Sequence, residues 1–262
     1  MLKIHNITVK YEKNDKPVVE NFSLDIKQGE ICCLVGESGS GKTTVIRAVQ
    51  GNLPGHGKVT KGDIFFKGQS LLTYTVNDWR KIRGTEISMI FQDSGAMLNP
   101  IRTIGSQFVE YIRAHGKYTK RGAWDKGVQM LESVRLPDGN NIMNSYPFQL
   151  SGGMRQRVGI AFAMSYRPKL LLADEPTSSL DVITQAQIVR QMMKSREDYG
   201  TSIIMITHNM ALAAYMSDHI LVMKDGKIVD SGNRNHILYN PQDDYTKNLL
   251  SAVPSIGGRY YV

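Results

Sequence analysis

Apolar residues recur along this chain in two different rhythms. Residues 2 to 11 alternate as half-buried strands do, with Leu2 and Ile4, then Ile7, Val9 and Tyr11. The phase slips near Asn6, which predicts a bulge or bend. Phe22-Ser23-Leu24-Asp25-Ile26 alternates again, and Lys27-Gln28-Gly29-Glu30 reads as a turn. Ile31-Cys32-Cys33-Leu34-Val35 is instead apolar throughout, as in a strand covered on both faces. An antiparallel region therefore leads into a parallel α/β core. Further strand-like pieces lie at 59–67, around Ile64, Phe65 and Phe66, and at 87–91, ending at Gln92. From Asp93 to about Met164 the rhythm becomes helical with polar breaks such as Pro137-Asp138-Gly139-Asn140-Asn141, which predicts an inserted helical subdomain over 93–164. The core resumes with Leu170-Leu171-Leu172-Ala173 before Asp174-Glu175, and Ser202 to Thr207 is a buried parallel strand ending at His208. Residues 219 to 229 alternate around Lys224-Asp225-Gly226-Lys227, a hairpin signal. The tail from Asn240 carries prolines and glycines and is expected to end loosely packed.

Between the apolar run 31–35 and a helix-like stretch, Thr43 to Gln50, stands Gly36-Glu37-Ser38-Gly39-Ser40-Gly41-Lys42-Thr43-Thr44. The spacing G-x-x-x-x-G-K-[ST] in a strand–loop–helix context is a phosphate loop. Gly36, Gly39 and Gly41 admit backbone conformations closed to residues with a Cβ. Successive N–H groups can then line an anion-binding concavity, to which the following helix adds its positive end. Lys42 would reach the β- and γ-phosphates, and the Thr43 hydroxyl would ligate Mg²⁺. A glycine-rich turn that binds nothing is the alternative, and lysine, hydroxyl and context together argue against it.

Leu150-Ser151-Gly152-Gly153-Met154-Arg155-Gln156-Arg157 offers a second anion site, with Ser151 as helix N-cap and glycines that leave N–H groups accessible. Two such ends in one chain suggest a dimer in which each subunit's second end closes over the other's nucleotide. An ordinary capped helix is the plainer reading. Glu175 directly follows the strand-end Asp174, and a pair of solvated carboxylates is the plain alternative there. His208 lies at the carboxyl end of a parallel strand, where ligands of α/β sheets bind, although many histidines are simply satisfied core residues.

Leu150 to Arg157 resembles the signature motif of ATP-binding cassette (ABC) ATPases. The other family motifs follow in order: Gln92 resembles the Q-loop glutamine, Leu170 to Glu175 Walker B, Ser179-Leu180-Asp181 the D-loop, and His208 the switch histidine. Tyr11, 25 residues before Gly36, is similar to the A-loop aromatic. The resemblance covers essentially the whole chain. It narrows, through Leu98 to Gly105, Asp181 to Gln187 and Tyr245 to Pro254, to ATPase subunits of the dipeptide/oligopeptide/nickel importers. Phe148 departs from the histidine common before the signature. Many relatives carry a C-terminal cysteine cluster, whereas this sequence has no cysteine after Cys33, so no iron–sulfur cluster is expected.

The resemblance implies an α/β P-loop NTPase fold of ABC type: a RecA-like parallel-sheet core with an antiparallel β subdomain (1–92 and 165–262) and a helical insertion (93–164), together one nucleotide-binding domain over 1–262. It implies ATP and Mg²⁺ as ligands. ATP would meet Tyr11, Gly36, Ser38, Gly39, Ser40, Gly41, Lys42, Thr43, Thr44, Ser151, Gly152 and Gly153. Thr43, Gln92 and Asp174 would hold Mg²⁺, the last usually through water. Lys42, Gln92, Glu175 and His208 would serve catalysis, with Glu175 polarising the attacking water. The implied partners are a second, similar ATPase, two transmembrane permeases and, indirectly, an extracytoplasmic binding protein. The implied cargo is a peptide, nickel or a nickel–chelate.

Composition narrows this only slightly. Hydrophobic content of 41% and charged content of 21% over 262 residues are those of an ordinary globular protein. No apolar stretch reaches membrane-spanning length, and Met1-Leu2-Lys3-Ile4-His5 opens no signal-peptide core, so a place in the cytoplasm is expected, which the resemblance narrows to the cytoplasmic face of the membrane beside the permeases. The net charge of +8 admits a nucleic-acid face, a surface near anionic lipid headgroups or plain solvation; spread without basic runs it favours solvated surface and does not decide the function. Cys32 and Cys33 read as small buried hydrophobes, and the six histidines lack metal-ligand spacing. A cassette ATPase acting on nucleic acid or the ribosome is the competing function. The sequence has neither the long coiled-coil or zinc insertions nor the second cassette of such proteins, and no nucleic-acid partner is expected.

Overall fold

The strands of this chain form where alternation or unbroken apolarity places them. The structure, a computed structural model, describes residues 1–12, 16–251, 255–256 and 259–260. Two compact units are present, 1–79 with 202–262, and 80–201. The first begins with β1 (Leu2–Lys10), β2 (Val19–Ile26), β3 (Ile31–Val35), α1 (Lys42–Val49), β4 (Lys58–Phe66) and β5 (Gln69–Ser70). After α2 (Val76–Ile82), the second contains β6 (Ile87–Ile90), α3 (Ile104–His115), α4 (Lys120–Ser133) and α5 (Gly139–Asn144). It continues with α6 (Gly152–Met164), β7 (Leu170–Asp174) and α7 (Val182–Tyr199). The first unit then resumes with β8 (Ser202–Ile206), α8 (Met210–Met216), β9 (His219–Lys224), β10 (Lys227–Gly232), α9 (Arg234–Tyr239) and α10 (Asp244–Ser251).

In the first unit β2, β1, β4 and β5 make an antiparallel sheet. The phase slip near Asn6 is a bulge: the register shifts between Ile4 and Ile7, and Asn6 has φ +47°. The Asn6 N–H donates to Ser23 Oγ at 2.9 Å, and the Ser23 hydroxyl donates back to Asn6 Oδ1 at 2.8 Å. A second layer runs in the order β10, β9, β3, β8. There β3 lies parallel to both neighbours, with Cys33 opposite Met205 on one side and Ile220 on the other. All five residues of β3 are buried, which is why it reads as an uninterrupted apolar run. Both cysteines are buried and free, and burial pushes the Cys33 thiol up to about 12, so it is held neutral as a small hydrophobe. The β9–β10 hairpin turns through Asp225 (φ +48°) and Gly226 (φ +79°), the left-handed pair that a two-residue hairpin demands.

In the second unit β6 and β7 are parallel, with Ile90 opposite Ala173, and the backbone N–H groups of Lys169 and Leu170 both donate to Glu86 O. The helical stretch 93–164 lies inside this unit, which extends beyond it to take in these two strands and α7. Its core is aromatic: Phe108 of α3 stacks on Phe162 of α6 with centroids 3.8 Å apart, and Tyr111 meets the Phe162 ring edge-on.

One reading needs correction. The polar break at 137–141 contains the start of a helix: Asp138 (φ +56°) caps α5 by accepting from the Asn141 N–H, and Ile142 and Met143 are buried. In the tail α10 buries Thr246 and Leu250 as far as Ser251, and most of the end beyond it, expected to pack loosely, lies outside the described residues. Ala252, Val253 and Pro254, the end of the family-like run, lie outside the described residues. Among the described residues no helix is long and apolar enough to cross a membrane.

Candidate nucleotide site

The phosphate loop is built by glycines that nothing else could replace. Gly36 has φ +149°, and a Cβ there would lie 2.1 Å from Met223 O. Gly41, at φ +98°, begins α1, and a Cβ there would lie 2.8 Å from Val18 O. Ser40 O accepts from the Gly226 N–H at 3.2 Å, so the β9–β10 turn braces the loop. From the other side the Tyr245 hydroxyl of α10 accepts from the Glu37 N–H at 2.8 Å. Lys42 is only 6% exposed, and its ammonium donates to Gly36 O (2.7 Å), Glu37 O (2.6 Å) and Ser40 Oγ (3.1 Å). These bonds aim the cation into the loop. Thr43 and Thr44 are half-buried in the first turn of α1, Ser40 is buried, and Ser38 and Gly39 are exposed. That turn holds no acidic residue to offset the positive helix end.

His208 follows β8, the parallel neighbour of β3, so it and the loop issue from the same carboxyl ends. It is exposed and held between two anchored residues. The Thr207 N–H donates to Leu34 O at 3.2 Å, and the Asn209 side chain caps α8 through the Leu212 N–H. Tyr11, just past β1, is half-buried, and its ring lies so close to Gly57 that a Cβ there would sit 2.6 Å from Cε1.

Within the second unit, parallel β6 and β7 bring Gln92 and Glu175 together. The Gln92 amide donates to Glu175 Oε2 at 3.5 Å, the long end of hydrogen bonding. Asp174 closes β7 and is 5% exposed. Glu175 has φ +44°, a left-handed conformation uncommon for a residue with a side chain. The following Pro176 disfavours the ordinary helical region at this position, and Ser178 secures the Glu175 carbonyl with its N–H (3.3 Å) and its hydroxyl (3.1 Å). Strain held at a carboxylate in this way is a mark of functional positions.

α6 opens as a capped end, with Ser151 Oγ accepting from the Met154 N–H at 3.2 Å. Ser151 and Gly152 are exposed, none of the described residues beyond its own turn would lie within 4 Å of a Cβ at Gly152, and the first turn has no acidic residue. Nearby, Asp181 caps α7 through the Thr184 N–H, and hydrogen bonds from Thr184 hold its carboxyl below the usual range. Sequence reasoning missed three features here. They are the Tyr245 contact, the strained backbone of Glu175 and the buried amide of Gln156. Only the second left a signal, in the proline that follows.

Residues 19–178 match the family described as ABC transporter. Over 98% of its length the chain is 39% identical to the oligopeptide transport ATP-binding protein AmiE of Streptococcus pneumoniae, covering 73% of that protein. It is equally similar to the dipeptide transport ATP-binding protein DppD of Lactococcus lactis, of which it covers 74%. The structure superposes on the ATP-binding cassette MJ0796, seen as a post-hydrolysis dimer with ADP and Pi, with a TM-score of 0.81. The match is 28% identical and covers 89% of this chain and 99% of that one. The chain therefore belongs to the ABC transporter ATPases, within the group of the oligopeptide- and dipeptide-transport ATP-binding proteins.

Proposed function

We propose that this chain is the motor subunit of a peptide importer, working at the cytoplasmic face of the membrane beside a second cassette ATPase and two permeases. One observation carries the reading: 39% identity over 98% of the chain to proteins named for peptide transport. Those names favour a peptide over nickel or a nickel–chelate, and nothing in the site favours action on nucleic acid or the ribosome.

ATP is taken up by the loop Gly36 to Thr44, where Lys42 and the inward N–H groups meet the phosphates. The Cβ-intolerant cradle at Gly36 and Gly41 and the uncompensated start of α1 fit a polyphosphate. The Thr43 hydroxyl, the Gln92 amide oxygen and the Asp174 carboxylate are hard oxygen donors of the kind Mg²⁺ accepts alongside substrate phosphates. When bound, Mg²⁺ offsets the negative charge of the β- and γ-phosphates. Glu175 orients and polarises the attacking water, Gln92 lies beside it, and His208 bonds the γ-phosphate. The Ser151 hydroxyl and the Gly152 and Gly153 N–H groups close over the ATP held by the partner ATPase. Closure moves the helical segments and the permeases docked on them, and hydrolysis resets the assembly.

The purified ATPase–permease complex, reconstituted in lipid with its binding protein, tests this reading. Peptide-loaded binding protein is expected to raise ATP hydrolysis several-fold. Stimulation by nickel-loaded binding protein alone, or by RNA, would overturn it.

Tyr11 stacks on adenine in this scheme, which requires a ring but no hydroxyl. Tyr11→Phe is therefore expected to bind ATP as the parent does, and Tyr11→Ala about tenfold more weakly, the order of one lost stacking contact. Gly57→Ala should weaken binding in the same sense by pushing the ring aside. Titration with a fluorescent ATP analogue measures all three, and equal affinities would remove Tyr11 from the site.

A further inference from the structure

We propose that Gln156 is a positioning residue that ties the start of the signature helix to the two groups flanking the attacking water, Gln92 and Glu175. The inference rests on the ATPase reading above. Gln156 lies five residues after Ser151 on α6 and is 2% exposed. Its Oε1 accepts from the Ser94 N–H at 3.0 Å, and its Nε2 donates to Phe91 O at 2.9 Å and Pro176 O at 3.1 Å. An amide has two N–H donors and one carbonyl, and all of them are used here.

The three partners are backbone groups at informative places. Phe91 directly precedes Gln92, Ser94 follows two residues later, and Pro176 directly follows Glu175. One side chain thus fixes the backbone on both sides of Gln92 and immediately beyond Glu175. The packing leaves little slack around it. Gly159, one turn further along α6, faces Ser94 so closely that a Cβ there would lie 2.2 Å from the serine's own. The Ser94 hydroxyl also donates to Phe91 O at 3.1 Å, closing the turn against the helix.

Sub-ångström placement matters because the Gln92 and Glu175 side chains meet only at 3.5 Å. A displacement of either backbone would change that distance directly. A shift of α6, whose first turn carries Ser151 to Gly153, is transmitted through the Gln156 amide to both. Each chain's response to its partner's nucleotide thereby reaches the residues that act on its own.

The test is a double-substitution cycle on ATP hydrolysis in the intact ATPase–permease complex. Gln156→Met keeps length and volume and removes all three bonds. It is expected to lower kcat about 10²-fold, the order seen when reacting groups are misplaced by about an ångström, with KM for ATP and ATP affinity within about twofold of the parent. In a Gln92→Ala background the same change should cost less, since one of the two groups it positions is gone and only the Glu175 side remains. An unchanged kcat, an equal loss in both backgrounds, or a loss of ATP affinity matching the loss of kcat would overturn the proposal. Should Gln156→Met not fold, Gln156→Glu, which keeps the bond from Ser94 and opposes carbonyls at the other two, reads the same cycle with the same expectations. Peptide stimulation is not used in this cycle, so failure of the importer reading would leave its outcome interpretable.

Discussion

Replacing Glu175 by glutamine is expected to leave ATP binding intact and to slow hydrolysis by about 10²–10⁴-fold, the usual contribution of a positioned acid–base group. The substitution preserves shape, and an amide cannot accept the proton of the attacking water or polarise it through a negative charge. The backbone explains why no neighbour substitutes for it. Glu175 is held at φ +44° before Pro176, its carbonyl is bonded twice by Ser178, and its side chain points to the Gln92 amide. Asp174, one residue earlier, ends a strand and lies almost wholly buried, so its carboxylate cannot turn to the same place. Nucleotide titration and steady-state phosphate release, measured on one preparation, separate binding from turnover. Undiminished hydrolysis would remove Glu175 from the water-activating role.

Lys42→Ala is expected to fail earlier, at binding. The ammonium is held by Gly36 O, Glu37 O and Ser40 Oγ at the mouth of the loop. Truncation removes the cation proposed to meet the phosphates and deprives these oxygens of a charged donor. Hydrogen bonds to charged groups contribute about 1.5–3 kcal/mol, so ATP affinity should fall by about 10- to 100-fold. Lys42→Arg should not restore it, because a planar guanidinium cannot reproduce the point charge of an ammonium in so confined a loop. Wild-type affinity in Lys42→Ala would show that the loop does not hold the phosphates.

Much of the architecture was legible because burial leaves a period in the sequence. β3, β7 and β8 are buried along their whole length and read as unbroken apolar runs, while β1 and β2 alternate. The phosphate loop was legible because its conformation demands glycine at fixed offsets. α5 was not, since Gly139, Asn140 and Asn141 are turn formers individually and become helical through the Asp138 cap and the burial of Ile142 and Met143. α10 was missed for a related reason. Its buried face is little more than Thr246 and Leu250, and the segment before it is fixed from a distance, where buried Asp230 accepts from the Gln242 and Asp243 N–H groups. Gln156 is the same lesson inside the site. A glutamine in a helix looks like a surface residue, and its three backbone partners lie 20 to 65 positions away.

Two helix starts from different subunits are proposed to hold one triphosphate. The most direct measurement is a structure of the Glu175→Gln chain assembled with its partner ATPase and permeases and loaded with ATP. The Ser151 hydroxyl and the Gly152 and Gly153 N–H groups are expected about 3 Å from the γ-phosphate seated in the partner's loop, within hydrogen-bond range. Finding that end of α6 turned away from every nucleotide in the loaded assembly would contradict it.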